Sequence, residues 1–426
     1  MGCSVARTSS PSPPSARTTY DGAHPGGNQT AWAVVAIIAL SVGGFAIGTT
    51  EFMTMGVLPQ IAESLGVPEP QAAHAISAYA LGVVVGVPVL SIFGARLPRK
   101  GLLLSLMGVY AVFNILSGLA TNYAFFTLAR FFDGMPHGAY FGVASLVAAG
   151  LVAPQYRGRA VAGVMIGLSV ANIVGVPTAT WMGQTFGWRS TYVLAAAISV
   201  LTVVLVMIFV PATPADRDAK GLSEARDFFR RSQVWLTMAA GAVGFGGLFA
   251  IYSYIATTVT DVGGLSASSV PLFLLAFGLG MTVGTWLAGE LARWSIAKSL
   301  LLGSAGSAVA MLLFWLVIPR GWWALPVLFL ITAIGSILVT NLQLRLMDVA
   351  GDAVTLGAAM NHASLNVANA LGAWLGGLVL TAGLGYRTPS LVGAAMALAG
   401  AGILLFAFRL ERSRPTNTDD VVAART

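Results

Sequence analysis

The chain is poor in charge and nearly devoid of cysteine. Of its 426 residues 9% are Asp, Glu, Lys or Arg, against roughly a quarter in soluble domains, while 56% are hydrophobic. That balance excludes an ordinary water-soluble fold. The single cysteine, Cys3, excludes an internal disulfide framework and any multi-cysteine zinc site. Of three lysines, only Lys298 precedes a hydroxyl residue, and Ala297 stands where a phosphate-cradling loop needs glycine, so P-loop ATP hydrolysis is excluded. His-Glu-x-x-His and Gly-x-Ser-x-Gly are also absent. The chain therefore reads as no enzyme, with no cofactor, no metal and no ATP.

What is present is hydrophobic length. Apolar stretches of about 20 residues, enough to cross a hydrocarbon core of ~30 Å as helix, recur from Trp32 to Phe408. The reading is an all-α polytopic membrane protein with spans at 32–57, 71–94, 101–120, 123–150, 157–182 and 190–210, then 233–258, 268–291, 299–318, 322–346, 355–381 and 389–409. A net charge of +7 would suit nucleic acid if clustered on one domain, but the basic residues alternate with the spans. One side receives Arg96, Arg99, Lys100, Arg157, Arg159, Arg230, Arg231, Arg293, Lys298 and Arg345; the other receives Arg189, Arg320 and Arg387. The positive-inside rule puts both termini in the cytoplasm and excludes nucleic acid as partner.

A tandem echo divides the chain. Ser169-Val-Ala-Asn172-Ile-Val-Gly175 returns as Asn366-Val-Ala-Asn369-Ala-Leu-Gly372, 197 residues later, and Lys100-Gly-Leu-Leu-Leu104 returns as Lys298-Ser-Leu-Leu-Leu302. A parallel repeat in such a chain predicts a transporter of two six-helix bundles related by an axis along the membrane normal. The expected organisation is a disordered cytoplasmic tail at 1–30, bundles at 31–211 and 233–410, a charged cytoplasmic linker at 212–232 and a tail at 411–426. Small residues at Gly82 and Gly86, and at Ala276, Gly280, Gly284 and Ala288, predict close helix approach, in static packing or at a moving interface.

An ionisable residue inside a bilayer costs ~2.5–3.5 kcal/mol on insertion scales and marks function by default. On the first span Ser41, Gly44, Gly48, Glu51 and Met55 share a face on which Glu51 is the only charge. On the fourth, Arg130, Asp133, His137, Phe141 and Ala144 form a similar stripe. Counting at 1.5 Å per residue sets Glu51 and Arg130 at similar depth, so the two can meet if their spans line one cavity. Arg130 has Asp133 one turn away as constant partner, which leaves Glu51 as candidate proton carrier and His137 as a second titrating group. Asn172 on the fifth span and His362, Asn366 and Asn369 on the eleventh are candidate substrate ligands, with interhelical hydrogen bonding as the competing use. Tyr252 and Tyr254, with Tyr140 and Phe141, are candidate cavity walls.

Arg96-Leu-Pro-Arg99-Lys100 resembles the loop signature of the major facilitator superfamily, with Ala95 where that signature usually has Asp, and Arg130-Phe-Phe-Asp-Gly134 resembles its fourth-helix Arg-x-x-x-Gly motif. Gly175-Val-Pro177 falls at the fifth-helix Gly-Pro motif of its drug antiporters, with Thr178, Ala179 and Thr180 in place of the closing glycines. Thr50-Glu51-Phe52, Pro136-His137-Gly138-Ala139 and the run from Asn366 to Gly377 look like the bacterial drug:proton antiporters that include arabinose-efflux-like and chloramphenicol-efflux proteins. The resemblance implies the major facilitator fold, a monomer in the bacterial inner membrane and proton-coupled efflux of a drug or sugar by alternating access. It also implies proton coupling at Arg130 and a conformational loop at Arg96, Arg99 and Lys100, echoed by Arg293. A sugar or nucleoside facilitator or symporter is the alternative, and a non-transporting receptor or scaffold a third.

Overall fold

With no water in hydrocarbon to satisfy backbone groups, an apolar chain must close its hydrogen bonds within each segment. The computed structural model accordingly contains helices and no strand among the described residues, which are 29–94, 97–212, 226–351 and 354–413. The expected terminal tails, Arg96 and most of the linker lie outside them. Ten stretches are long and apolar enough to cross a membrane. One of these, Ile296–Val349, folds as two helices, Ile296–Val317 and Ala324–Val349, separated by a tight turn in which Gly321 has φ 59°. The 28-residue helix Tyr123–Gly150 is not among the ten, but it has the length to cross and carries Arg130, Asp133 and His137. Twelve spans result among the described residues.

The first half comprises Gln29–Gly56, His74–Gly94, Arg99–Gly118, Tyr123–Gly150, Arg157–Phe186 and Arg189–Phe209. The second comprises Ser232–Tyr252, Val270–Trp294, Ile296–Val317, Ala324–Val349, Val354–Thr381 and Thr388–Arg412. Two spans depart from the sequence reading. The first turns at Val57 and resumes as Leu58–Leu65, ending at Gly66 with φ 66°; a short helix, Glu69–Ala72, then leads into the second span. The seventh is broken at Phe245 and Tyr254 and runs on in short helical pieces to Val262. The fifth carries a π-helical turn at Ala171–Gly175.

The repeat is visible in space as well as in sequence. A Cβ on Gly175 would lie 2.2 Å from Thr49 Oγ1, and one on Gly372 would lie 2.2 Å from the Gly246 carbonyl; both members of the pair shift by 197 residues. Gly82 and Gly86 back onto the carbonyls of Phe131 and Met135, as Gly280 and Gly284 back onto those of Phe329 and Ala333. These glycines therefore serve close packing of the second span on the fourth and the eighth on the tenth, within each half. They are not a sliding interface between halves. Ser41, Gly44 and Gly48 likewise pack on the fifth span, against Gly167, Val164 and Leu168.

Between the halves, contact is made at the end of the bundle away from the linker. Glu69 Oε2 accepts hydrogen bonds from Thr257 Oγ1 (2.6 Å) and Tyr386 Oη (3.0 Å). Ser77 Oγ donates to the Ala370 carbonyl (3.2 Å) and Gln184 Nε2 to that of Ala267 (3.1 Å). Burial, with the Glu69 carboxylate beside it, pushes the Tyr386 hydroxyl above its ordinary range. This end of the molecule is closed.

Candidate functional site

The polar centre of the first half is built on the fourth span. Spacing of three residues puts Arg130 and Asp133 on one face, and both are fully buried. Arg130 Nη1 pairs with Asp133 Oδ2, and Asn114 Nδ2 on the third span donates to Asp133 Oδ1 at 2.8 Å. The second guanidinium nitrogen, Nη2, reaches the Thr50 carbonyl at 3.5 Å. The guanidinium lies 4.3 Å from the Tyr79 ring centroid and 5.5 Å from that of Tyr192. Two buried opposite charges, an amide donating to the carboxylate and two π-faces by the guanidinium compensate one another, with Arg130 Nε alone unpartnered, so removing one member of the ion pair strands the other at a cost of about 3–5 kcal/mol.

Glu51 differs. Its side chain is buried, at 8% exposure, yet it makes no hydrogen bond or ion pair with any described residue. The sequence placed it beside Arg130, and it does lie within electrostatic reach of Arg130 and Tyr79 on one side and Tyr252 on the other. The two form no ion pair, because Asp133 and the Thr50 carbonyl engage the guanidinium. Phe52, the next residue, projects into the second half. Its ring stacks near Phe249 (6.3 Å, 7°), meets Tyr252 edge-on (5.8 Å) and lies 6.0 Å from Phe277. Glu51 thus stands where the halves join.

His137 is tied to the second span by Tyr79, whose hydroxyl lies 3.1 Å from Nδ1. Phe141 bridges His137 to His362 of the eleventh span, contacting the first edge-on (5.5 Å) and the second face to face (5.7 Å, 6°). Hence His362 belongs with the His137 cluster.

Asn172 and Asn369 occupy equivalent places in the two halves, and Asn366 stands where the first half has Ser169. Asn172 Nδ2 donates to the Leu168 carbonyl and Asn366 Nδ2 to that of His362, each one turn back, while Oδ1 of both is buried without a donor. Asn369, the 197-residue counterpart of Asn172, has neither amide atom paired. The Tyr252 hydroxyl is also buried and unpartnered. No hydrogen bond among the described residues joins these amides to the Arg130 cluster, so the candidate substrate residues and the charged set are neighbouring groups. Tyr254 and Tyr140 are structural: their hydroxyls donate to the carbonyls of Ala373 (2.8 Å) and Leu40 (2.7 Å). In the loops, Lys100 Nζ donates to the Met207 carbonyl, and Arg293 pairs with Glu290 in the open, at 79% and 66% side-chain exposure.

Sequence reasoning missed Asn114, Tyr79, Tyr110 and Glu69. Asn114 carried a signal, being a lone amide in an otherwise apolar third span. The repeat carried another. The packing pairs Gly82–Phe131 and Gly280–Phe329 set the second and fourth spans in register with the eighth and tenth at 198 residues. In that register Arg130, Asp133 and His137 fall opposite Leu328, Ile331 and Gly335, and at 197 Glu51 falls opposite Leu248. These four ionisable groups therefore have no ionisable counterpart in the second half.

Comparison with known proteins gives a consistent result. The family model described as Major Facilitator Superfamily matches residues 40–361. The chain is 35% identical to the inner membrane transport protein YdhP of Escherichia coli K12, over 89% of this chain and 96% of that protein. It is 30% identical to a chloramphenicol resistance protein of Streptomyces lividans, over 83% and 90% respectively. In fold it is similar to the D-xylose-proton symporter, with a TM-score of 0.69 at 16% identity, covering 87% of this chain and 96% of that one.

Proposed function

Since the chain belongs to the major facilitator superfamily, and is a multi-pass membrane transporter on that ground, we propose that it exports a small organic molecule across the inner membrane in exchange for protons. The bundles would be 31–211 and 233–410, with the linker and both termini cytoplasmic. The observation that carries the reading is the contrast between two kinds of buried charge. Arg130 and Asp133 neutralise each other, whereas Glu51 has no bonded partner and sits at the junction of the halves, one residue from the Phe52 contact. A carboxylate so placed is stabilised by a proton or by an arriving cationic or hydrogen-bonding solute, and the two compete for it. With the far end closed, as described here, solute from the cytoplasm displaces the proton of Glu51; once that end opens, an external proton displaces the solute outward.

Asn172, Asn366, Asn369 and Tyr252 supply the unpaired polar atoms a solute would satisfy, with Phe52, Phe249 and Phe277 as walls. Uphill transport on this reading draws on a gradient. One proton moving through ~100 mV supplies about 2.3 kcal/mol, or roughly a 50-fold solute gradient at one-to-one exchange. The test is Glu51→Gln in proteoliposomes, with chloramphenicol, ethidium, a nucleoside and a sugar as probes. On this reading the variant retains solute exchange without a pH gradient but loses uphill transport. Uphill transport preserved in Glu51→Gln refutes it.

A further inference from the structure

One buried chain of hydroxyls is not used by the charge exchange above. Tyr79 Oη lies 3.1 Å from His137 Nδ1 and 3.0 Å from Tyr110 Oη, and Tyr110 Oη reaches the Ile47 carbonyl at 3.4 Å. Tyr79, Tyr110 and Ile47 are fully or almost fully buried, as is His137 at 2% exposure. Four spans contribute one member each: the fourth, second, third and first. In an α-helix the carbonyl of residue 47 accepts the N–H of residue 51. The run therefore begins at an imidazole and ends on the backbone oxygen that holds the Glu51 amide.

Counting protons restricts this run to few states. Each tyrosine hydroxyl has one proton to give. When His137 is protonated, Nδ1 carries hydrogen and can only donate to Tyr79 Oη; Tyr79 then donates to Tyr110, and Tyr110 to the Ile47 carbonyl, with the Thr50 hydroxyl also within its reach. When His137 is neutral with hydrogen on Nε2, Nδ1 accepts from Tyr79, Tyr79 accepts from Tyr110, and the Ile47 carbonyl keeps only its helical partner. The neutral Nδ1–H tautomer resembles the charged state. Protonation thus removes one of two directions open to the neutral ring.

We propose that Tyr79 is a positioning residue for proton coupling, converting the protonation state of His137, through Tyr110, into the presence or absence of a hydrogen bond on the Ile47 carbonyl beneath Glu51. The inference rests on the antiport reading for its purpose and on hydrogen-bond geometry for its content. The ring of Tyr79 has a separate task, since its face lies on the Arg130 guanidinium. Its counterpart in the other half, at 198 residues, is Phe277, which has the ring and lacks the hydroxyl. The charged and titratable groups around the run are Arg130 and Asp133 on the span of His137, Glu51 on the first span, Tyr192 on the sixth and His362 on the eleventh, which meets His137 through the Phe141 ring.

The test needs no transported solute. Full-length protein in lipid vesicles is prepared with ¹⁵N-histidine, and separately with ¹³C-carbonyl isoleucine and ¹⁵N-glycine, which selects the three Ile–Gly pairs, Ile47–Gly48 among them. His137 and Ile47 signals are assigned by their loss in His137→Gln and Ile47→Val and followed by solid-state NMR from about pH 9 to about pH 4. The expected result is one shared midpoint for the His137 ring nitrogens and the Ile47 carbonyl. In Tyr79→Phe, and independently in Tyr110→Phe, the Ile47 carbonyl should stay fixed while the His137 signals still change. Either variant breaks the same run, so failure of one to fold leaves the other to decide. An Ile47 carbonyl that follows pH equally in wild type and variants, one that stays fixed in wild type, or a His137 ring that never changes over this range overturns the proposal. Each outcome is independent of whether Glu51→Gln abolishes uphill transport, so the two readings fail separately.

Discussion

Replacing Glu69 should open the far end of the transporter. Its Oε2 accepts from Thr257 at 2.6 Å and Tyr386 at 3.0 Å, both belonging to the other half. A hydrogen bond to a charged acceptor contributes about 1.5–3 kcal/mol, and one between neutral groups about 0.5–1.5 kcal/mol. Glu69→Gln keeps the shape and one acceptor oxygen, so it removes about 1 kcal/mol per bond, or about 2 kcal/mol of preference for the closed seam. That is an upper figure, because the amide also escapes the desolvation of a half-buried carboxylate. A shift of 2 kcal/mol changes the closed-to-open ratio by roughly 30-fold. Ser77, which bonds Ala370 across the same seam, is the reporter. The lone native cysteine makes the assay simple: in a Cys3→Ser background, Ser77→Cys is labelled by a membrane-impermeant maleimide added from outside. Labelling should be slow with Glu69 and faster, by up to about 30-fold, with Glu69→Gln. Equal rates would show that the two hydroxyls contribute nothing to closure, and slower labelling would reverse the argument.

Other consequences can be read in the same way. Asp133→Asn, which strands the Arg130 charge, should cost about 3–5 kcal/mol and show as lost folded yield and a lower melting temperature in detergent; Asn114→Ala should cost about 1.5–3 kcal/mol by the same assay, since Asp133 then lacks its amide donor. Gly134→Ala should fail to fold or melt far lower, because the new Cβ meets the Tyr79 carbonyl at 2.0 Å, whereas Gly108→Ala, with nothing within 4 Å, should melt like wild type. Gly278→Ala places a Cβ 2.3 Å from the Asn172 carbonyl, where the fifth and eighth spans meet, and should raise Ser77→Cys labelling without lowering folded yield.

Much of the fold was legible because the bilayer imposes one rule on every span. Apolar length located the helices, the fourth span at 123–150 among them, although it is not one of the ten most apolar stretches. The 197-residue echo reappeared as paired glycine contacts. The break at Val57 carried a signal in Pro59, the second residue of the resumed helix, and the first span was read to end at 57; the breaks at Phe245 and Tyr254 carried none, since no proline lies near them. At the site, charge announced itself. Arg130 and Asp133 were paired correctly from spacing, and Glu51 was singled out as the lone acid, though its lack of any bonded partner emerged only in three dimensions. Tyr79 and Tyr110 look like packing residues in sequence, because a hydroxyl acquires meaning only from the span beside it. Glu69 sits in a short helix before the second span, and nothing in its local pattern points 188 residues along the chain to Thr257.

The central claim is that solute movement is exchanged for protons at Glu51. The direct measurement is lumenal pH in proteoliposomes loaded with a trapped fluorescent indicator, holding an imposed proton gradient, while phenicols, cationic dyes, nucleosides and sugars are added in turn. The account predicts that at least one class triggers proton efflux opposite to its own movement, and that Glu51→Gln abolishes the response while leaving solute binding measurable. Protons moving in the same direction as the solute, or an unchanged response in Glu51→Gln, would contradict it.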